Sequence, residues 1–310
     1  MYKRQETDFI LSSHQDGCWV SLIKPTPEEV EAVAKQYEID MDDLKSALDT
    51  DERSRIESES TYTMILVNIP TIMEHNETEL YDTIPLSIFV TKEAVITVCL
   101  EDTPVLQSFV KRRVRDFSTA MKSRFVLQIL YRTASLYLQY LRIIDKKSEQ
   151  VENRLHKSTQ NQELIELLKL EKSLVYFTTA LRSNEMVLEK LFKNSNIKRY
   201  PEDSDLLDDV IVENKQAIEM ANIYSGILSG MMDAFASVIS NNLNIVMKVL
   251  AIITIVMSIP TMIFSAYGMN VAVNGMPFAE SSYGFVIIVG LSLMLSLIVT
   301  LIFIKIKMFK

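Results

Sequence analysis

Cysteine and histidine are scarce in this sequence, and their placement removes whole classes of chemistry. Cys18 and Cys99 lie far apart with no Cys-x-x-Cys pair, which fits a reducing compartment and argues against structural disulfides or a thiolate metal centre. His14, His75 and His156 stand in no ligand spacing, so they read as ordinary polar residues. There is no phosphate-binding glycine loop, no nucleophile elbow and no pair of carboxylates in a cleft pattern. An enzyme is therefore the least favoured reading. The first residues, with Arg4, Glu6 and Asp8 and no apolar run, do not read as a signal or transit peptide.

Charge is missing from two long stretches. Leu243 to Ala266 is apolar apart from Lys248 and a few small polar residues, and Phe285 to Ile304 is uncharged. At about 1.5 Å per residue each can cross a hydrocarbon core of about 30 Å. The overall 48% hydrophobic content and mean hydropathy of +0.13 agree with membrane segments. Lys305, Lys307 and Lys310 follow the second stretch, while residues 267 to 284 between the two carry only Glu280. The positive-inside rule places the C-terminus in the cytoplasm, and two spans return the N-terminus there too. Beyond residue 243 the only charges are Lys248, Glu280 and those three terminal lysines, so residues 1 to 243 hold 28 basic against 39 acidic side chains, a net of −11. That acidic balance disfavours nucleic acid and suits cations.

Residues 1–103 are expected to form an α+β cytosolic domain. Strands are expected over Trp19 to Ile23, Tyr62 to Ile69, Thr83 to Val90 and Ala94 to Leu100. Thr26-Pro27-Glu28-Glu29 reads as a helix start, with Met41 to Leu48 as a second short helix. The short connections imply a mostly antiparallel sheet with flanking helices. Pro85 would suit an edge strand or a bulge. Asp49, Asp51, Glu52, Arg53 and Arg55 read as a solvated helix end.

Residues 104–242 read as a helical stalk. One long helix is expected over Ser123 to His156. Leu167, Leu174, Leu181 and Leu188 make a heptad with Leu170, Phe177, Asn184 and Leu191, a packing seam of coiled-coil type. Pro201 breaks the chain, and Asp203-Ser204-Asp205 can cap a helix that then runs to Ala266 with only Pro260 inside it. Residues 243–310 form the transmembrane domain, with helices at about 243–266 and 285–304 and an external loop between them.

One face of the long helix is nearly free of bulky apolar residues. At alternating steps of four and three it carries Gly226, Gly230, Asp233, Ser237, Ser240, Asn244, Met247, Ala251, Thr254, Ser258, Thr261 and Ser265. Such a stripe must be hidden from lipid, against protein or against water. Close helix packing through small residues explains it equally simply. Asp233 and Asn244 have no obvious partner and favour a water-filled pore.

Tyr267-Gly268-Met269-Asn270 ends the first span, Met276-Pro277 lies in the loop, and a final span with a basic tail follows. This arrangement resembles the CorA family of divalent-cation channels. Asn244-Ile245-Val246-Met247-Lys248-Val249-Leu250 and, more loosely, Asp49-Thr50-Asp51-Glu52-Arg53 also look like the family's pattern. The resemblance implies a homopentamer in a cell membrane, with the first spans lining the pore and the second forming an outer ring. It implies passive Mg²⁺ entry, with Co²⁺ and often Ni²⁺ accepted. Tyr267 to Asn270 would be the selectivity filter, with Asn270 holding hydrated Mg²⁺ and Met247 and Leu250 forming a gate. The pore would be lined by Asp233, Ser237, Ser240, Asn244, Met247, Ala251, Thr254 and Ser258, and Asp209 would bind regulatory Mg²⁺ between subunits. Mg²⁺, transported and regulatory, is the only cofactor expected. A zinc transporter of the related ZntB type shares this architecture, and a non-conducting membrane-anchored scaffold is the rival from another class. The residue after the Met-Pro pair departs from the pattern: family members often have an acid there, and here Phe278 and Ala279 precede Glu280.

Overall fold

The computed structural model describes residues 2–3, 10–11, 16–75, 78–155, 161–193, 201–270, 275–278 and 281–306. His14, His156, Glu280, Lys307 and Lys310, singled out above, lie outside the described residues, as do the side chains of His75 and Glu202.

Short strands β1 (Tyr2–Lys3) and β2 (Ile10–Leu11) precede β3 (Cys18–Ile23), which carries Trp19. Helix α1 (Pro27–Tyr37) follows, started by a capping box. The Thr26 hydroxyl accepts from the Glu29 N–H at 3.3 Å, and the Glu29 carboxylate accepts from the Thr26 N–H at 2.8 Å. Two orphan donors of the first turn are thereby satisfied, with Pro27 at a position where its missing N–H costs nothing. Then come α2 (Met41–Ser46), β4 (Arg55–Ser58), β5 (Tyr62–His75), β6 (Thr78–Thr91) and β7 (Ala94–Cys99). The charged segment Asp49 to Arg53 is the exposed or half-buried link from α2 to β4, and Arg55 pairs with Glu52 and Glu57.

The strands form one sheet in the order β2-β1-β3-β7-β6-β5-β4. The β3–β7 pair is parallel and every other pair antiparallel. β5 and β6 run well past the apolar segments expected from sequence. Pro85 sits on an interior strand and not at an edge. It nevertheless lies one residue beyond the last β6–β7 pair, Leu86 with Cys99, so its missing N–H removes no ladder bond there.

Alternation along the strands sends one set of side chains to each face of the sheet. Val20, Met64, Phe89, Ile96 and Val98 meet Val30, Val33, Tyr37 and Leu44 of α1 and α2. On the other face Trp19 stacks edge-on against Phe109, Phe117 and Phe125 at ring separations of 5.2–6.4 Å. Its indole N–H, buried with it, donates to the Thr97 hydroxyl at 2.9 Å. Phe109 belongs to α3 (Pro104–Val110) and Phe125 to α4 (Lys122–Leu155).

Helix α5 (Asn161–Lys193) carries the heptad, and its seam packs against β4, β5, β6 and α4 rather than forming a free coiled coil. Leu167, Leu174, Phe177, Leu181 and Leu188 are buried there. Asn184 looks out of place in this apolar seam until its partners are seen. Its side chain accepts from the Asn68 N–H at 2.9 Å and from Ser54 Oγ at 2.8 Å, and donates to the Asn68 carbonyl at 2.7 Å. It thus stands in for a strand neighbour where β4 has ended.

Helix α6 (Pro201–Tyr267) opens on Pro201. Asp203 is not a cap: it lies inside the first turn, buried, with the Arg124 guanidinium 3.4 Å away. Leu207, Val210, Ala217, Ala221 and Leu228 are buried along the first half of α6, and the Asn214 side chain donates to the Leu181 carbonyl at 3.2 Å. Helix α7 (Gly284–Lys305) is the last element. The chain divides into two compact units, Met1–Met232 and Asp233–Lys310.

Candidate functional site

The second unit consists of the distal part of α6, the following loop and α7. α6 and α7 are each long and apolar enough to cross a membrane. Only 6% and 11% of their most apolar stretches are buried by the rest of the chain, which separates them from core helices of a soluble protein.

Distal α6 has three distinct faces. Ile245, Val249, Ile252, Val256, Ile259, Ile263 and Tyr267 are buried or half-buried, at steps of four and three. This face meets α7, where the Ser296 hydroxyl lies 3.5 Å from the Val256 carbonyl. Ser292 is fully buried one turn earlier, so small residues on α7 permit the close approach. A second face presents Val246, Leu250, Ile253, Met257 and Phe264, large, apolar and exposed. The third is the polar stripe. Asp233, Ser237, Ser240, Asn244, Met247, Ala251, Thr254, Thr261 and Ser265 are all exposed, and Ser258 is half-buried. At about 100° per residue the stripe lies about 140° round the helix from the face that meets α7. α7 therefore does not cover it.

The hydroxyls of the stripe are oriented by their own helix. Thr254 and Thr261 donate to the carbonyls of Leu250 and Met257 at 2.9 and 3.0 Å, and Ser258 donates to that of Ile255 at 2.8 Å. With the proton committed to backbone, each oxygen offers outward only lone pairs. Thr254, Ser258 and Thr261 thus form a short column of acceptors within the stripe. Met247 is its bulky member, 57% exposed, and Leu250, 58% exposed, sits at its edge about 60° away.

At the end of α6 the Gly268 N–H continues the helical pattern, reaching the carbonyls of Phe264 and Ser265 at 2.9 and 3.2 Å. The φ of Gly268 is not positive. A Cβ there would meet the Phe264 carbonyl oxygen at 3.4 Å. The glycine that the backbone demands is Gly284, where a Cβ would fall 2.2 Å from the Phe278 oxygen. Phe278 itself is left-handed, with φ 62°. The Tyr267 hydroxyl donates to the Pro277 carbonyl at 2.8 Å, joining the helix end to the loop. Met269 and Asn270 are exposed.

In the first unit Asp208 and Asp209 are exposed on α6. Among the described residues no group of three or more His, Cys, Asp or Glu side chains is placed to hold a metal ion.

The family profile described as "CorA-like Mg2+ transporter protein" matches residues 14–305. The chain belongs to the CorA family. The cobalt/magnesium transport protein CorA of Methanocaldococcus jannaschii is 26% identical over 294 residues, 92% of this chain and 89% of that one. The complete structure of the CorA magnesium transporter from the same organism superposes with a TM-score of 0.80 at 24% identity, covering 92% of this chain and 89% of that chain. The cytoplasmic domain of ZntB from Vibrio parahaemolyticus shares the fold more distantly, with a TM-score of 0.57 at 12% identity over 74% of this chain and 89% of that one. Family membership covers both units, from the mixed sheet through α6 and α7.

Two contacts of this CorA-family chain differ in how far the sequence signals them. The Tyr267–Pro277 bond has no signature, because the acceptor is a backbone carbonyl. Ser292, Ser296 and Thr300, four apart in an otherwise apolar helix, do carry a signal for a packing face on α7.

Proposed function

We propose that the protein is a membrane channel through which Mg²⁺ enters passively, with Co²⁺ and Ni²⁺ as further cargo. The observation that carries this reading is the column of acceptors on α6 turned away from α7. In a bilayer it must be covered by other copies of α6 or by water. Five copies around an axis would do both, with α6 lining the pore and α7 outside. Mg²⁺ holds its waters tightly, and those waters present hydrogen-bond donors to their surroundings. The oxygens of Thr254, Ser258 and Thr261, whose protons are already committed, suit such a hydrated ion. At the mouth five Asn270 side chains would hold it by neutral oxygens, without trapping a dication as carboxylates can. Lower down, Met247 with Leu250 would close the axis by dewetting. Both termini would lie in the cytoplasm, and an inside-negative potential would contribute about 4.6 kcal/mol per 100 mV for a dication.

Regulation fits the acidic cytosolic part. Asp209 of one subunit and acids of the next would share a Mg²⁺, and a state that binds it more tightly is populated when cytosolic Mg²⁺ is high. That state would be the closed one.

A ZntB-like zinc transporter has the same architecture, but Cys18 and Cys99 are both buried and no borderline-soft ligand set is evident among the described residues. Uptake into liposomes loaded with a Mg²⁺ dye, with Zn²⁺ as competitor, separates these readings. Mg²⁺ entry with weak competition by Zn²⁺ is expected. Absence of any flux would favour a membrane-anchored scaffold.

A further inference from the structure

The Tyr-Gly-Met-Asn run begins with a residue that faces away from the polar stripe. Tyr267 continues the row formed by Val249, Val256 and Ile263, the face that meets α7, and is half-buried with it. Its hydroxyl reaches the Pro277 carbonyl at 2.8 Å. The acceptor segment is itself locked in place. Next to Pro277, Phe278 turns left-handed, its carbonyl accepts from the Ser281 N–H at 3.2 Å, and the Ser281 carbonyl accepts from the Gly284 N–H at 2.9 Å. Gly284 packs so closely under the Phe278 oxygen that only a glycine fits.

We infer that Tyr267 is a positioning residue, a tether that fixes Asn270 by tying the end of α6 to the start of α7 through the loop. This rests on the channel reading and names a part for Tyr267 other than contact with the ion. Gly268, Met269 and Asn270 follow Tyr267 with no helical frame beyond it except the turn bonds of Gly268 and Met269. Asn270 follows Tyr267 by three residues, and the Tyr267–Pro277 hydrogen bond joins positions on either side of it in the chain. A ring of amides discriminates between hydrated ions only if the amides are held at a set separation. Loss of the closure lets them wander while leaving both helices and their packing in place.

Tyr267→Phe keeps the aromatic body and removes only the donor. Wild type, Tyr267→Phe, Pro277→Gly and Asn270→Ala are compared in liposomes, as the full-length assembly. The readouts are the half-saturating Mg²⁺ concentration and the ratio of Mg²⁺ to Ca²⁺ flux. Tyr267→Phe is expected to raise the half-saturating concentration by about three- to tenfold, the value of one hydrogen bond, and to lower the flux ratio. Pro277→Gly frees the acceptor's backbone and shifts both readouts the same way. A merely structural role would reduce the amount of assembled protein and the maximal flux without moving either. If Tyr267→Phe does not assemble, Pro277→Gly decides by the same two readouts. Wild-type values for the assembled variant, with flux abolished in Asn270→Ala, would overturn the tether and leave the channel standing. No Mg²⁺ flux in the wild type would overturn the channel reading and the tether together.

Discussion

At the scale of single residues, the sequence signals and the backbone disagree most informatively over glycine. Gly268 stands in the motif that identifies the family, yet its φ is not left-handed and an added Cβ would make ordinary contacts at 3.4 and 3.6 Å. Gly284, in no motif, has 2.2 Å to the Phe278 backbone oxygen. Gly284→Ala must therefore displace backbone and should cost about 1–3 kcal/mol, whereas Gly268→Ala should leave the fold of the chain unstrained. Thermal unfolding of the two variants in detergent checks this: a lowered midpoint is expected for Gly284→Ala alone, and equal midpoints would contradict it. Asn184 teaches the same lesson in the soluble part. A heptad position reads as apolar or as a register device, and only the end of β4 beside Asn68 explains why an amide is needed there.

At the scale of elements, most of the fold was legible in period and capping. Runs of apolar and β-branched residues between turn signals marked β3, β7 and the apolar parts of β5 and β6, and Thr26-Pro27 with Glu29 marked the start of α1. The outer parts of β5 and β6 were not legible. Residues 70–75 and 78–83 pair with each other beyond the ends of β4 and β7, and their described side chains do not alternate: Pro70 and Thr71 are buried in succession, and Ile72 and Met73 are exposed in succession. The partners of α5 were illegible for a related reason, since a heptad records that a stripe is buried but not whether a helix or a sheet buries it. On α6 the stripe itself was legible, and what the structure adds is its direction relative to α7. That direction bears on the gate. If five Met247 side chains close the axis, Met247→Gly opens a hole at the narrowest apolar ring and raises basal Mg²⁺ flux several-fold at high cytosolic Mg²⁺. Packing of Met247 between neighbouring helices predicts unchanged or reduced flux instead, and basal dye uptake distinguishes the two.

At the scale of the whole molecule, residues 1 to 243 carry a net charge of −11, whereas residues 244 to 304 carry only Lys248 and Glu280 as charged side chains. Asp209 is exposed on α6, and no metal-holding group of acids is found around it within one copy among the described residues. The proposed regulatory ion would take its other ligands from a neighbouring copy. Asp209→Lys replaces an ion ligand with a like charge for Mg²⁺, so inhibition of flux by cytosolic Mg²⁺ should weaken at least several-fold. Retention of wild-type inhibition and of Mg²⁺ protection against proteolysis would remove Asp209 from the sensor. The claim on which everything else depends is that ions pass along the α6 stripe and through the Asn270 ring. Mg²⁺ uptake into liposomes at imposed membrane potentials, wild type beside Asn270→Ala, tests it most directly. Uptake that rises as the interior is made more negative, and that vanishes in an assembled Asn270→Ala protein, is the predicted result. Equal uptake by both proteins, or none by the wild type at any potential, would contradict it.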